Sequence, residues 1–127
     1  MFTGGVTPGE VLISESEPGA VVATLSGSFD LNDADRVEDL LRAAMREWRP
    51  QRLSLDLAAM EFCDCAALRS LIRAHIDGQR DGCEVVISRA SPLAAWLVGL
   101  FELGPMFGYP PGGAAAGPSP EADELNG

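Results

Sequence analysis

The sequence has no lysine. Its nine basic residues are all arginine, set against nineteen acids, for a formal net charge of −10. Such a chain repels phosphate backbones and anionic membrane surfaces, which argues against direct nucleic-acid binding. Long apolar runs are missing too. The longest, Leu93 to Phe101, is far short of the roughly 20 residues a membrane span needs, so no membrane insertion is expected. The first nine residues carry neither a basic cluster nor an apolar stretch, and nothing in them reads as a secretory leader. Cysteines are few and odd in number: Cys63, Cys65 and Cys83. Together with the missing leader they predict reduced thiols and a cytoplasmic protein. Aromatics make up only 6% of the chain, so the core must be built from Leu, Val, Ile and Ala.

Signs of catalysis are equally sparse. Gly4, Gly5 and Gly9 precede the first expected strand, the wrong place for a phosphate-cradling loop. A Cys-x-Cys pair with one histidine makes a poor zinc site, which usually has four ligands. The one histidine, His75, falls on an apolar stripe, and the acids are scattered without an obvious acid/base pair. The expectation is a chain that is not an enzyme and carries no cofactor or metal.

Hydrophobic patterning predicts an α/β domain. Val11 to Ile13 and Ala20 to Leu25 flank a Glu17-Pro18-Gly19 turn and read as a hairpin. Asn32 is the expected cap of a first helix, whose stripe is Ala34, Val37, Leu41, Ala44, Met45 and Trp48 and which Pro50 closes. Leu53, Leu55 and Leu57 alternate with polar residues in a third strand, and Met60 to Asp64 reads as a loop. Asp64 then caps a second helix, with Leu68, Leu71, Ile72, His75 and Ile76 as its buried stripe and Arg69 outside it. Asp81-Gly82 ends that helix, and Cys83 to Ser88 forms a fourth strand. Ser91-Pro92 starts a last helix and Gly104-Pro105 stops it. Within it, Leu93, Leu97, Leu100 and Phe101 are expected to face the sheet, leaving Trp96 or Val98 toward solvent. The order is β-β-α-β-α-β-α, in which strand-helix-strand repeats favour parallel pairing and the opening hairpin makes the sheet mixed. The expected organisation is a flexible arm over 1–9, one domain over 10–107 and a disordered, acidic Pro/Gly/Ala-rich tail over 108–127.

Three motifs in this order resemble a known family. Leu53-Ser54-Leu55-Asp56-Leu57 followed by Phe62-Cys63-Asp64-Cys65-Ala66-Ala67-Leu68 resembles the STAS signature, a Leu/Val-rich strand and then Phe-x-Asp-Ser-Ser-Gly-Leu opening a helix. Gly27-Ser28-Phe29-Asp30-Leu31 resembles the Gly-x-x-Asp turn before the family's first helix. Ser91-Pro92, with Phe107 shortly after the last helix, also fits. The resemblance implies a mixed sheet with helices mainly on one face. It also implies an anti-sigma factor antagonist, which binds an anti-sigma factor, often a serine kinase, and is released when that kinase phosphorylates the first Ser of Asp-Ser-Ser-Gly.

The chain departs from the family at that motif. Asp64 matches the family's Asp, but Cys65 stands at the phosphorylated position and Ala66 and Ala67 replace the following Ser and Gly. The resemblance places the partner surface and the degenerate phosphosite at Asp30, Asp64, Cys65, Ala66, Ala67 and Arg69. Asp64 reads equally as a helix cap and Asp30 as an ordinary pre-helix acid. Two other roles suit such a chain: an accessory STAS subunit of a transport or lipid pathway, and a thiol sensor acting through Cys65, since a thiol in the first turn of a helix can be activated.

Overall fold

The stretch Ala20–Phe29 buries every second side chain, from Val21 through Ala23 and Leu25 to Phe29, and is the central strand of the domain. A computed structural model describes residues 7–110, so most of the expected tail and the first six residues lie outside it. Within that span the order is β1 (Glu10–Glu17), β2 (Ala20–Phe29), α1 (Leu31–Trp48), β3 (Arg52–Leu57), β4 (Met60–Cys63), α2 (Cys65–Asp81), β5 (Glu84–Ala90), α3 (Pro92–Leu100) and α4 (Gly104–Phe107). The sheet runs β1-β2-β3-β5, with β4 paired to the far end of β2. β1 is antiparallel to β2 and the other pairings are parallel, as expected for a mixed sheet.

Register explains the one-sided core. Val21, Leu53 and Val85 lie opposite one another on β2, β3 and β5, and Ala23, Leu55 and Ile87 form the next row. All six are buried. Val37, Leu41 and Met45 of α1, Ala67, Leu68, Leu71 and Ala74 of α2, and Ala94 and Val98 of α3 join them in one core cluster. The alternate side chains Val22, Thr24, Ser54, Asp56, Val86 and Ser88 stay half-buried on the opposite face. Glu38 ties α1 to α2 by accepting hydrogen bonds from Arg42 (2.6 Å) and Arg73 (3.2 Å). Burial alone would raise the Glu38 carboxyl's pKa, but these two guanidiniums outweigh it and hold it below its ordinary value.

Several expectations need correction. Met60–Cys63 is a strand and not a loop: after the Ala58-Ala59 turn the chain pairs with Gly27, Ser28 and Phe29 of β2. Four residues are too few to show a period. Gly104-Pro105 opens a second short helix, which buries Phe107 edge-on against His75 at 5.3 Å. His75 also donates from Nδ1 to the Val85 carbonyl at 3.2 Å. In α2 Leu68 and Leu71 are buried as expected, but Ala67, Ser70, Ala74 and Gly78 complete the stripe, Ile72 and His75 are only half-buried, and Ile76 is exposed. In α3 Ala94 and Val98 are the buried residues; Trp96 is exposed, as expected, but so are Leu100 and Phe101. In α2 small side chains win because the helix lies close on the sheet: a Cβ on Gly78 would come within 2.6 Å of Val85 in β5. Thr7 to Gly9, expected as part of the loose arm, are tied to β2 through Ser28. At the other end Tyr109 packs against the core, so ordered contacts continue past residue 107.

Gly27 is where β2 exchanges β3 for β4. It sits at a register shift with φ +87°, and an added Cβ would lie 2.4 Å from the Pro8 carbonyl oxygen. Gly27→Ala should therefore cost about 2 kcal/mol or more. Gly99, with open space around it in α3, should instead gain about 0.5 kcal/mol on mutation to Ala. Urea unfolding of the two variants checks both signs; a neutral Gly27→Ala would refute the close approach.

Candidate functional site

Two helices start side by side at the carboxyl ends of parallel strands. β2 ends at Phe29 and β4 at Cys63, which are register partners, and the Asp64 N–H donates to the Phe29 carbonyl at 3.1 Å. The next residue of each chain segment caps a helix. Asp30 Oδ1 accepts from the Asn32 N–H at 2.9 Å, and Asp33 reaches back to accept from the Asp30 N–H at 2.9 Å, closing a capping box. The cap of α1 is thus Asp30 and not Asn32, which is the second residue of the helix. Asp64 Oδ1 accepts from the Ala67 N–H at 3.0 Å and caps α2 as expected.

Cys65 occupies the first helical position of α2 and is exposed; Ala66 is half-buried. Ala67 is 2% exposed and belongs to the core, so it does not form part of the surface expected of it. Arg69, one turn beyond Cys65, is exposed. The structure therefore brings Asp30, Asp64 and Cys65 together around the two helix starts and sets Arg69 along the outer side of α2. Around them stand apolar side chains that the sequence reading passed over, Leu31 at 70% and Phe62 at 49% exposure. Leu31 lies outside the Val37–Leu41 stripe, and that misfit is the signal that marks it. Phe62 falls in the Met60–Asp64 stretch that reads as a loop from sequence, where an outward aromatic has no pattern to violate.

Neither the two buried thiols nor the serine on α2 offers an ordinary alternative chemistry. Burial pushes the Cys63 thiol up to about 12, with the Asp64 carboxylate adding to the effect. Burial also raises Cys83. Ser70, the hydroxyl next along α2, is 1% exposed and lies 2.9 Å from the Ala34 carbonyl and 3.3 Å from that of Ala66. It ties α2 to α1 and is closed to a kinase. Among the described residues no cluster of three His, Cys, Asp or Glu side chains could hold a metal, and no helix is long and apolar enough to cross a membrane.

A family model described as "Mlab, STAS domain" matches residues 14–107. The chain belongs to this STAS family. No curated protein sequence matches it. Among solved structures, this STAS domain is similar to an anti-sigma factor antagonist from Mycobacterium paratuberculosis, at 27% identity and a TM-score of 0.65, over 79% of this chain and 83% of that one. It also resembles the anti-sigma factor antagonist SpoIIAA in its unphosphorylated form, at 13% identity and a TM-score of 0.67, over 76% and 84%. The Bacillus cell fate determinant SpoIIAA in its phosphorylated form follows, at 13% identity and a TM-score of 0.63, over 76% and 87%. The SpoIIAA likenesses establish the STAS fold; the mixed sheet with helices on one face is that fold.

Two outcomes follow for this STAS domain. Alkylation by iodoacetamide at neutral pH should modify Cys65 first and leave Cys63 and Cys83 protected until unfolding, as read by intact and peptide mass. Asp64→Ala should cost on the order of 1 kcal/mol through loss of the cap, whereas Asp64→Asn should cost far less. Equal effects of Ala and Asn in thermal melts would show that the cap is not what Asp64 contributes.

Proposed function

We propose that this STAS domain is a regulatory protein-binding module and not an enzyme: an anti-sigma factor antagonist that acts in the cytoplasm. Its partner is an anti-sigma factor or serine-kinase-type protein, docking at the paired helix starts around Asp30, Asp64 and Cys65. The likeness at 27% identity to a mycobacterial anti-sigma factor antagonist supports the class. The observation that carries the reading is the start of α2. Its cap geometry is intact, and the first helical side chain points to solvent, but that side chain is the Cys65 thiol.

The consequence is binding without the usual off-switch. A phosphate at this position would add close to two negative charges where the partner docks. Cys65, Ala66 and Ala67 have no hydroxyl to accept it from a serine kinase, and Ser70 is buried and hydrogen-bonded. The natural chain therefore stays competent to bind whatever the state of the kinase.

Capture from extracts of the native host, with the natural chain, Cys65→Ser and Cys65→Asp as baits, tests this. The natural chain should recover an anti-sigma factor or its kinase, and added ATP should not release it. Cys65→Ser should gain a phosphate, seen by intact mass, and then release; Cys65→Asp should bind at least about tenfold more weakly by placing charge at the contact. Because Ala67 is buried, adding Ala67→Gly would lower helix stability by about 1 kcal/mol, so the single variant is the cleaner probe. Phosphorylation of the natural chain equal to that of Cys65→Ser would overturn the proposal. So would recovery of a transporter ATPase in place of a sigma-pathway protein, which would assign the chain to a transport complex.

A further inference from the structure

A groove runs along α2 from the Cys65 end. Cys65, Leu68, Arg69 and Ile72 fall at i, i+3, i+4 and i+7, a single stripe of the helix, and form one wall; Phe101 and Leu103 form the other. The groove holds about 290 Å³ and is open to solvent. Small-molecule sites span about 300–1,000 Å³ and enclose most of their ligand, so this space suits one or two side chains of a larger partner. Leu68 and Leu103 give it an apolar floor, being 8% and 7% exposed. Beyond Phe101 the apolar surface continues over Leu100 and Trp96, and α3 with the two residues after it carries a single charge, Glu102.

Arg69 is the one charged residue lining the groove. Arg36, Arg42, Arg52, Arg73 and Arg89 are each ion-paired. Arg46, Arg49, Arg69 and Arg80 have no side-chain ion pair or hydrogen bond among the described residues, and of these four Arg69 is the one that lines this apolar groove. A guanidinium standing free beside an apolar slot is a ready receptor for a carboxylate, which it can engage through two parallel N–H donors. We infer that the groove receives an amphipathic helix of the protein partner. That helix seats a leucine-sized or aromatic side chain between Ile72 and Phe101 and sets a carboxylate on Arg69. The inference rests on the protein-binding reading above and gives the partner's chemistry. Other occupants fit less well. An isologous contact of the groove with its own copy would offer Arg69 no acid, since the lining has none. An anionic lipid surface would meet the field of a chain with net charge −10.

The test is selection of displayed helical peptides on the full chain, with amide resonances used to map binding. Enriched peptides should carry apolar residues at helical spacing with an acid beside them, and should shift Cys65, Leu68, Ile72 and Phe101. Arg69→Glu, at an exposed position and checked for an unchanged melt, should bind those peptides at least about tenfold more weakly. From the same library it should select peptides with Lys or Arg in place of the acid. Peptides that enrich without an acid, or that map to another face, would overturn the groove assignment and leave the protein-binding reading standing. Self-association of the natural chain that Arg69→Glu abolishes would overturn it in favour of a second copy.

Discussion

One backbone hydrogen bond sets the geometry of the candidate site: the Asp64 N–H donates to the Phe29 carbonyl. It is the last link of the β2–β4 ladder, and it fixes the starts of α1 and α2 against each other. Each helix then begins with an aspartate, and each carboxylate is already committed to backbone N–H groups of its own first turn. The carboxylates are therefore held in place before any partner arrives. A surface with so little left to order loses little entropy on docking. Everything that makes the ladder possible is upstream: the turn at Ala58-Ala59, the register shift at Gly27, and Thr7 and Pro8 lying against it.

Where side-chain periodicity was strong, the sequence was readable. The strands at Ala20 and Leu53 alternate cleanly, and α1 shows Val37, Leu41, Ala44 and Met45 at helical spacing. The Asp64 cap was legible because a short polar side chain precedes an apolar-periodic run. What failed has a common physical cause. Hydrophobicity ranks Ile76 above Ala74 and Leu100 above Ala94, yet the smaller residue is the buried one in both cases. Closely packed helices select for volume as much as for transfer energy, and no one-dimensional pattern carries inter-element distance. β4 was missed for a different reason, since a four-residue strand at an element's end offers one period at most.

The candidate site was legible in part. The resemblance led to Asp64 and Cys65, and the structure places both at the same helix start, beside Asp30. It could not show that Ala67 lies in the core or that Ser70 is spent on the Ala34 carbonyl. Both facts depend on α1 packing against α2, which brings together residues 36 apart in sequence. Nor could it show the groove, because Ile72 and Phe101 meet only through the fold.

Thiol chemistry and protein docking make different demands on Cys65, and its surroundings favour the second. A redox switch is most effective where a second thiol can resolve the first oxidation product. The neighbouring Cys63 is buried with its thiol held near 12, so it offers almost no thiolate to that step. What surrounds Cys65 instead is contact area: Leu31 and Phe62 beside the helix starts, and the apolar groove along α2. A thiol is somewhat larger than a serine hydroxyl and less polar. At the edge of an apolar surface a thiol has no hydroxyl for a serine kinase and leaves the neighbouring packing surface in place, which is the physical argument behind the proposal of a contact that phosphate does not switch.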